Sequence, residues 1–481
     1  MTRGSVRTAA LVTLAAVAVA VADRGLPPRS ASQQVLPTAQ TRPVSAATLV
    51  CPDVAEERDS HRSGSVAFVS AADPGGAAPT AGPASAGGGG TVTVHAVGTA
   101  APDTTVSGSA AVQTLASSRA VVLTAAGPAA PGFAAASTTR YEGGATSGLA
   151  GIDCLAPTDS AYLVGPATTV GHDPQLVLVN PDPTPAAVDV TVAADGTPFT
   201  ADRTRGVPLA GHATQTLSLA NLTPEQIGVA VHVQTRSGRV TAAIRDRWFS
   251  GSVPQGIDWL TPGARPAKDL VIPGVGGPGM TVSVVLASQS SDPGTAVIRV
   301  AGPDGEMTPA GLQAVDLPAD GIVRVDVPRA VLGTLSSLHV TATVPLLGAA
   351  VSVRAGAGRG QPGDFAWTPA AEPLDAAAAV PSPDGSAQLV LTATADTTAT
   401  ISVPGADGGQ RTVPVATGTS VVVALAGTAG GVRVQPAAPG VLRAAVVTAP
   451  VAGGVSASVL LGRPTAARMP AARPDIGLGA D

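Results

Sequence analysis

Aromatic side chains are scarce: Trp, Tyr and Phe together make up 2% of the 481 residues. Cores filled by rings are therefore excluded, and aliphatic side chains must do the packing, which suits thin β-sandwiches. Lysine is nearly missing as well, with Lys268 the single one among 28 basic side chains. Charged residues amount to 13% and the net charge is −5, so no basic footprint for nucleic acid exists. Abundant Ala, Gly, Pro, Arg and Val are what a GC-rich genome writes at permissive positions, and composition alone is no guide to function. The short motifs of catalysis are missing too. The chain has no His-Glu-x-x-His, Cys-x-x-Cys, Gly-x-Ser-x-Gly or P-loop, and no two of its six histidines have metal-pair spacing.

What is present is strand punctuation. Gln175 to Gly196 (QLVLVNPDPTPAAVDVTVAADG) holds two apolar runs, Leu176–Val179 and Val188–Val192, joined by a Pro-rich turn. Such runs bounded by Asn, Pro, Asp and Gly predict an antiparallel hairpin. The phrase recurs at Thr281–Gly305 and Ala387–Gly408. Connectors recur with it: Gly151-Ile152-Asp153-Cys154-Leu155-Ala156-Pro157, Gly256-Ile257-Asp258-Trp259-Leu260-Thr261-Pro262, and a looser Asp364-Phe365-Ala366-Trp367-Thr368-Pro369. Their spacing of roughly 105 residues is the size of a sandwich domain and not of a propeller blade or solenoid turn. About seven short strands per copy, without helical periodicity, predict an all-β chain of tandem immunoglobulin- or fibronectin-like sandwiches. One helical turn is expected near Leu222–Ile227, with a counterpart around Ala330–Leu332.

The expected organisation is a signal peptide or membrane anchor (1–22), a disordered tether (23–50) and a divergent N-terminal β domain (51–157) with a disordered loop at 71–90. Three sandwich repeats follow (158–262, 263–369, 370–462), then a disordered tail (463–481). Arg3 and Arg7 precede an apolar run, Thr8–Ala22, that ends in Ala20-Val21-Ala22, the pattern of a secretory signal. The run is roughly 15 residues, against the ~20 a spanning helix needs, although a retained anchor is the alternative. An exported, extracellular or envelope-associated protein is expected, touching membrane only through this segment if it is uncleaved. In an oxidising compartment Cys51 and Cys154 are expected to pair; two buried thiols are the rival reading.

No catalytic residue, cofactor or metal ligand set stands out. Gly274-Val275-Gly276-Gly277-Pro278-Gly279 matches the spacing of a dinucleotide fingerprint but runs into a strand where a helix is required. Asp-Gly turns lack the acidic runs of calcium loops and read as turn formers. His232 and His339 occupy comparable places on equivalent strands and read as a repeated packing position. Trp248 and Trp259, with Phe249, gather at one connector, and Trp367 with Phe365 at the next. They read as plugs at domain junctions, or alternatively as platforms for a carbohydrate or wall polymer. Arg236, Arg239, Arg245 and Arg247 read as a solvated edge that resists aggregation, or alternatively as contacts for an anionic polymer.

The signal-like N-terminus, Cys51-Pro52, Asn180-Pro181 followed by Pro185-Ala186 and Val188, and the connector tryptophans resemble an actinobacterial exported family, domain of unknown function 5719. The resemblance covers most of 51–465. It implies an actinobacterial envelope setting and brings no catalytic residues with it. The functional expectation is a non-enzymatic scaffold or interaction protein of the envelope, its partner an unknown envelope protein or wall polymer. A carbohydrate-binding module built on the connector aromatics is the alternative.

Overall fold

The computed structural model describes residues 40–52, 62–69, 90–99, 102–107, 113–116, 119–141, 147–194, 197–199, 204–381, 386–402, 409–425, 431–449 and 454–469. The signal-like run, most of the expected tether and the expected loop at 71–90, apart from Gly90, lie outside them. The described chain starts with a short strand, β1 (Gln40–Pro43). The first sandwich then contains β2 (Ala46–Cys51), β3 (Arg62–Val69), β4 (Thr91–Ala96), β5 (Thr104–Ser107), β6 (Gln113–Ala116), β7 (Val121–Ala126), β8 (Ala134–Tyr141) and β9 (Gly148–Asp153). Its sheets are β2-β7-β4-β5 and β6-β3-β8-β9, both antiparallel. It therefore begins inside the stretch expected to be tether.

The second sandwich repeats this order with its fourth strand split. Its strands are β10 (Ser160–Val164), β11 (Gln175–Val179), β12 (Ala186–Ala194), β13 (Thr197–Phe199), β14 (Val207–Leu209), β15 (Thr214–Ser218), β16 (Ala230–Ser237), β17 (Thr241–Ser250) and β18 (Val253–Leu260). The sheets are β10-β16-β12 with β13 and β14, and β15-β11-β17-β18. In the third come β19 (Ala267–Gly276), β20 (Met280–Ser288), β21 (Gly294–Gly302), β22 (Gly305–Met307), β23 (Val315–Leu317), β24 (Ile322–Val327), β25 (Leu335–Arg354) and β26 (Asp364–Pro369). Here β25 serves both sheets. Its first half pairs with β19 and β21, and its second half, beyond Pro345, pairs with β20 and β26. The fourth has β27 (Ala378–Val380), β28 (Ala387–Ala393), β29 (Thr397–Ser402), β30 (Gln410–Val415), β31 (Ser420–Ala424), β32 (Val432–Pro436), β33 (Leu442–Thr448) and β34 (Ser456–Val459), in sheets β27-β32-β29-β30 and β31-β28-β33-β34. A last strand, β35 (Ala466–Met469), lies inside the stretch expected to be a disordered tail and pairs with β1 in a two-stranded ribbon.

Two expectations are corrected. The opening runs of each copy are strands but not a hairpin. β11 pairs with β15 and β17, whereas β12 pairs with β13, β14 and β16 in the opposite sheet. The Pro-rich turn is an arch between sheets. Pro181, Pro183 and Pro185 have no N–H to offer a tight hairpin ladder. Buried Asn180 fixes the arch: its Nδ2 donates to the carbonyls of Thr184 (2.8 Å) and Ala210 (3.0 Å), and its Oδ1 accepts from the Asp182 N–H. The connectors, likewise, are not linkers. They are the eighth strand of each sandwich (β9, β18 and β26, with β34 as the fourth). The expected helical turn is present slightly earlier, at Leu219–Leu222 capped by Ser218, and its counterpart is a 3-10 turn at Arg329–Val331.

Residues 43–466 form one compact unit, and the burial pattern shows why the copies are not beads on a string. β12 has the one-sided alternation of an ordinary sandwich strand, with Val188, Val190 and Val192 inward and Asp189 and Thr191 outward. β11 is apolar on both faces. Leu176 and Leu178 enter the core of the second sandwich, while Val177 and Val179 pack with Val50, Ile152 and Leu155 of the first. β20 and β28 do the same. Val285 and Ala287 join the core of the second sandwich, and Val390 packs with Met280 and Ala366 of the third. The series closes on itself, because Val69 and Ala134 of the first sandwich pack against Ala379 of the fourth. This head-to-tail interface, used once per copy, makes a ring that closes after four.

Candidate functional site: the axis of the ring

Ring closure brings the four eighth strands together. β9 lies against β18, β18 against β26, β26 against β34, and β34 against β9. Such an approach needs small residues. Gly148 of β9, Gly256 of β18 and Gly454 before β34 all have positive φ and surround the Asp364 carboxylate, which opens β26. A Cβ on Gly148 or Gly256 would run into that carboxylate, and one on Gly151 would strike Ser456. Three copies thus contribute glycine at the axis and one contributes an acid.

The axial polar groups bond across copies. Asp364 Oδ2 accepts from the N–H of Leu149 (2.9 Å) and of Val455 (2.7 Å), in the first and fourth sandwiches. Burial pushes its pKa up to about 8, although these bonds and Arg354 pull the other way. Asp258 Oδ2 accepts from the Trp367 N–H at 2.7 Å. Burial holds Asp258 well above the usual carboxylate range, and the Asp364 charge adds to this. Asp246, fully buried on β17, accepts from the indole Nε1–H of Trp367 at 2.9 Å. The first and fourth sandwiches are locked by Arg463, whose Nη2 donates to Asp153 Oδ1 (2.9 Å) and the Cys154 carbonyl (2.7 Å). Burial raises the Asp153 pKa against the pull of that guanidinium.

The residues singled out in the sequence fall as follows. Cys51 and Cys154 form a disulfide joining the two sheets of the first sandwich. Trp259 and Trp367 are each 2% exposed. Trp259 sits at the junction of sandwiches one and two, and Trp367 at that of two and three, where its ring lies over Gly165. Both rings are enclosed at these junctions, with no face open to solvent. Trp248 is half-buried, its ring parallel to His172 at 5.3 Å and tilted against Phe365 at 6.3 Å. The arginines do not converge. Exposed Arg236 pairs with Asp189 (2.7 Å), and Arg239 grips Asp182 with two bonds of 2.9 Å. Arg247 pairs with Asp173 at 2.7 Å and covers Phe249, while Arg245 is buried on β17, in the other sheet from Arg236. The Gly274–Gly279 stretch is the end of β19 and the turn that leads into β20, with no helix to receive a phosphate.

His232 and His339 do share a strand position, but with different neighbours. His232 stacks on Tyr162 at 4.3 Å, and burial lowers its pKa. His339 lies between Glu306 (2.6 Å) and Asp269 (3.1 Å). Among the described residues no group of three or more His, Cys, Asp or Glu side chains is arranged to hold a metal ion. Sequence reasoning missed Asp153, Asp246, Asp258, Asp364 and Arg463. The available signal was charge inside apolar strands: Ile152-Asp153-Cys154-Leu155 and Ile257-Asp258-Trp259-Leu260.

No curated protein matches the chain. The sequence profile that does match, across residues 109–426 and so more than half the length, takes in β6 to β31, from within the first sandwich into the fourth. The chain belongs to the family of unknown function DUF5719.

Proposed function

We propose that this chain is an exported, non-enzymatic interaction scaffold of an actinobacterial cell envelope. The observation that carries the reading is what the buried polar groups do. Asp153, Asp258, Asp364 and Arg463 bond the backbone or side chains of a neighbouring sandwich. Interior polar groups that are costly to bury go into fixing four bodies relative to one another, the requirement of a rigid presenting surface. The Cys51–Cys154 disulfide supports an oxidising compartment. Among the described residues no helix is long and apolar enough to cross a membrane. Binding partners, an envelope protein or wall polymer, meet the outer faces and loops, since Trp259 and Trp367 are enclosed.

The test is in whole cells. A membrane-impermeant amine- and carboxyl-reactive label, followed by cross-linking and mass identification, should mark the protein from outside and couple it reproducibly to one envelope component. A protein labelled only after lysis overturns export. Turnover of purified wall polymer by the protein, abolished by a single carboxylate substitution, overturns the non-enzymatic role.

A further inference from the structure

The outer surface has one cleft whose chemistry points to a ligand class. It lies between the second and third sandwiches and has a volume of about 120 Å³. One wall comes from the second sandwich. Tyr162 on β10, His232 on β16 and Thr191 on β12 are cross-strand partners in one register row, all outward from the core. The phenol and imidazole planes are 3° from parallel at 4.3 Å, and Ser160 Oγ lies 3.0 Å from His232 Nε2. The aromatic wall is therefore rigid before any ligand arrives. The opposite wall comes from the third sandwich, with Gln289 in the arch after β20 and Asp320 in the turn before β24. Leu347 of β25 adds an apolar lining.

Asp320 is the informative residue. Its φ is +46°, the left-handed region, and its N–H donates to the Ser290 carbonyl at 2.7 Å, which ties this turn to the Gln289 arch. The equivalent turns in the second and fourth sandwiches have positive φ at His212 and Gly418, so the backbone conformation belongs to the fold and the carboxylate only to this copy. That carboxylate has no hydrogen bond or ion pair among the described residues, unlike Asp182 and Asp189 at the edge of the second sandwich.

We infer that this cleft binds a single uncharged pyranose ring of a wall or capsular saccharide. A sugar presents apolar C–H groups for the Tyr162–His232 stack and Leu347, and vicinal hydroxyls for a carboxylate, an amide and a hydroxyl, supplied by Asp320, Gln289 and Thr191. An anionic sugar does not fit, because Asp320 is negative and burial favours neutral His232. The site deepens the scaffold reading by naming a ligand for one face and rests on export to a compartment containing glycans. A scaffold that binds only protein survives if the sugar site fails.

The full chain is titrated with the methyl glycosides of galactose, mannose and N-acetylglucosamine, with methyl glucuronide as the anionic control, by saturation-transfer NMR and calorimetry. At least one neutral glycoside should bind saturably, and the glucuronide should bind at least tenfold more weakly. Asp320→Asn should weaken the neutral sugar about tenfold while leaving the unfolding temperature unchanged, since Asn tolerates positive φ as well as Asp does. Tyr162→Ala should abolish binding; if it disturbs folding, exposed Gln289→Ala is read instead and should weaken binding several-fold. Arg236→Ala, remote from the cleft, should leave affinity unchanged. The proposal is overturned by no saturable binding of any neutral glycoside, by binding indifferent to Asp320→Asn, or by the glucuronide binding as well as the neutral sugars.

Discussion

The carboxylates on the axis and those on the edge of the second sandwich are the same chemical group put to opposite use. At the edge, Asp182 and Asp189 face solvent and are held below the ordinary carboxylate range chiefly by hydrogen bonds from Arg239 and Arg236. On the axis, Asp258 and Asp364 are buried and held above it by desolvation. The edge pairs stay within one sandwich, whereas the axial groups bond between sandwiches. The difference teaches that this fold keeps its polar capital at the centre. Losing an axial partner should loosen the ring, while losing an edge partner should be nearly silent.

The most severe test is Trp367→Ala. It empties a fully enclosed site between two sandwiches, for which a large-to-small core change costs about 3–5 kcal/mol. It also removes the indole donor from buried Asp246, and an unsatisfied buried acceptor costs roughly 1–3 kcal/mol more. Trp367→Phe keeps most of the packing and should show only the second component. Urea midpoints at constant m-value separate the two. A Trp367→Ala protein as stable as the parent would mean that the junction is dispensable.

Next in size is the clasp between the first and fourth sandwiches. Arg463→Ala leaves Asp153 buried without its cation, a loss of about 3–5 kcal/mol when the remaining charge is kept. Asp153 is already shifted upward by burial, and removing the guanidinium takes away the largest influence that lowers it, leaving the Leu461 N–H bond. It therefore escapes part of the cost by protonating, and the variant should be closer to wild type at pH 5 than at pH 8. The double variant Arg463→Met with Asp153→Leu should recover much of the stability. Equal destabilisation at both pH values would show that the pair matters through packing alone.

How legible was this in the sequence? The strand content was, because β12 alternates residue by residue and Asp-Gly and Pro-rich turns bound nearly every run. The recurrence of the eighth strand was also legible, from the spacing of the connectors. Strand partners were not: alternation says which side chains face inward, not which neighbour accepts the backbone, and the supposed hairpin proved to be an arch. The ring had one local sign, the unbroken Leu176-Val177-Leu178-Val179. A sandwich strand with solvent on one face would place a polar residue at every second position, so apolar residues throughout already implied cover on both sides. The axis left almost no sign. Asp364 is bonded to Leu149 and Val455, 215 and 91 positions away, and it lies among glycines that in sequence read as ordinary turn residues.

A third comparison uses pH. Asp364 has a folded pKa of about 8 against an unfolded value of 3.8. Between those values the folded protein binds the extra proton, so stability falls as pH rises. The slope is roughly 1.4 kcal/mol per pH unit for one such group, and the loss is complete once pH passes the folded value. Asp258 and Asp153 are raised too and act in the same direction. Asp182 and Asp189 act in the other: their contribution is present above the unfolded carboxylate value and fades as pH drops through their lowered folded values. The axis sets the alkaline limb and the edge contributes to the acid one. Asp364→Asn should make the profile shallower between about pH 5 and 8, by roughly 1.4 kcal/mol per pH unit, and leave the acid limb unchanged. A wild-type profile level across that range would contradict the axial assignment.

The smallest effect expected is Arg239→Ala, and its size is the point. The Arg239–Asp182 pair has two good bonds, but both side chains remain in contact with solvent. Coulomb attraction there is weak, and holding two flexible side chains opposes it, so exposed pairs are worth about 0–1 kcal/mol. Whatever remains should vanish between 0.15 and 1 M salt, where the screening length falls from about 8 to 3 Å. Trp367→Ala, acting in a water-excluded junction, should keep its full effect at both salt concentrations. If Arg239→Ala instead cost as much as the axial changes and resisted salt, the edge arginines would have to be fastening the ring, and the division between a structural centre and a solvated edge would be lost.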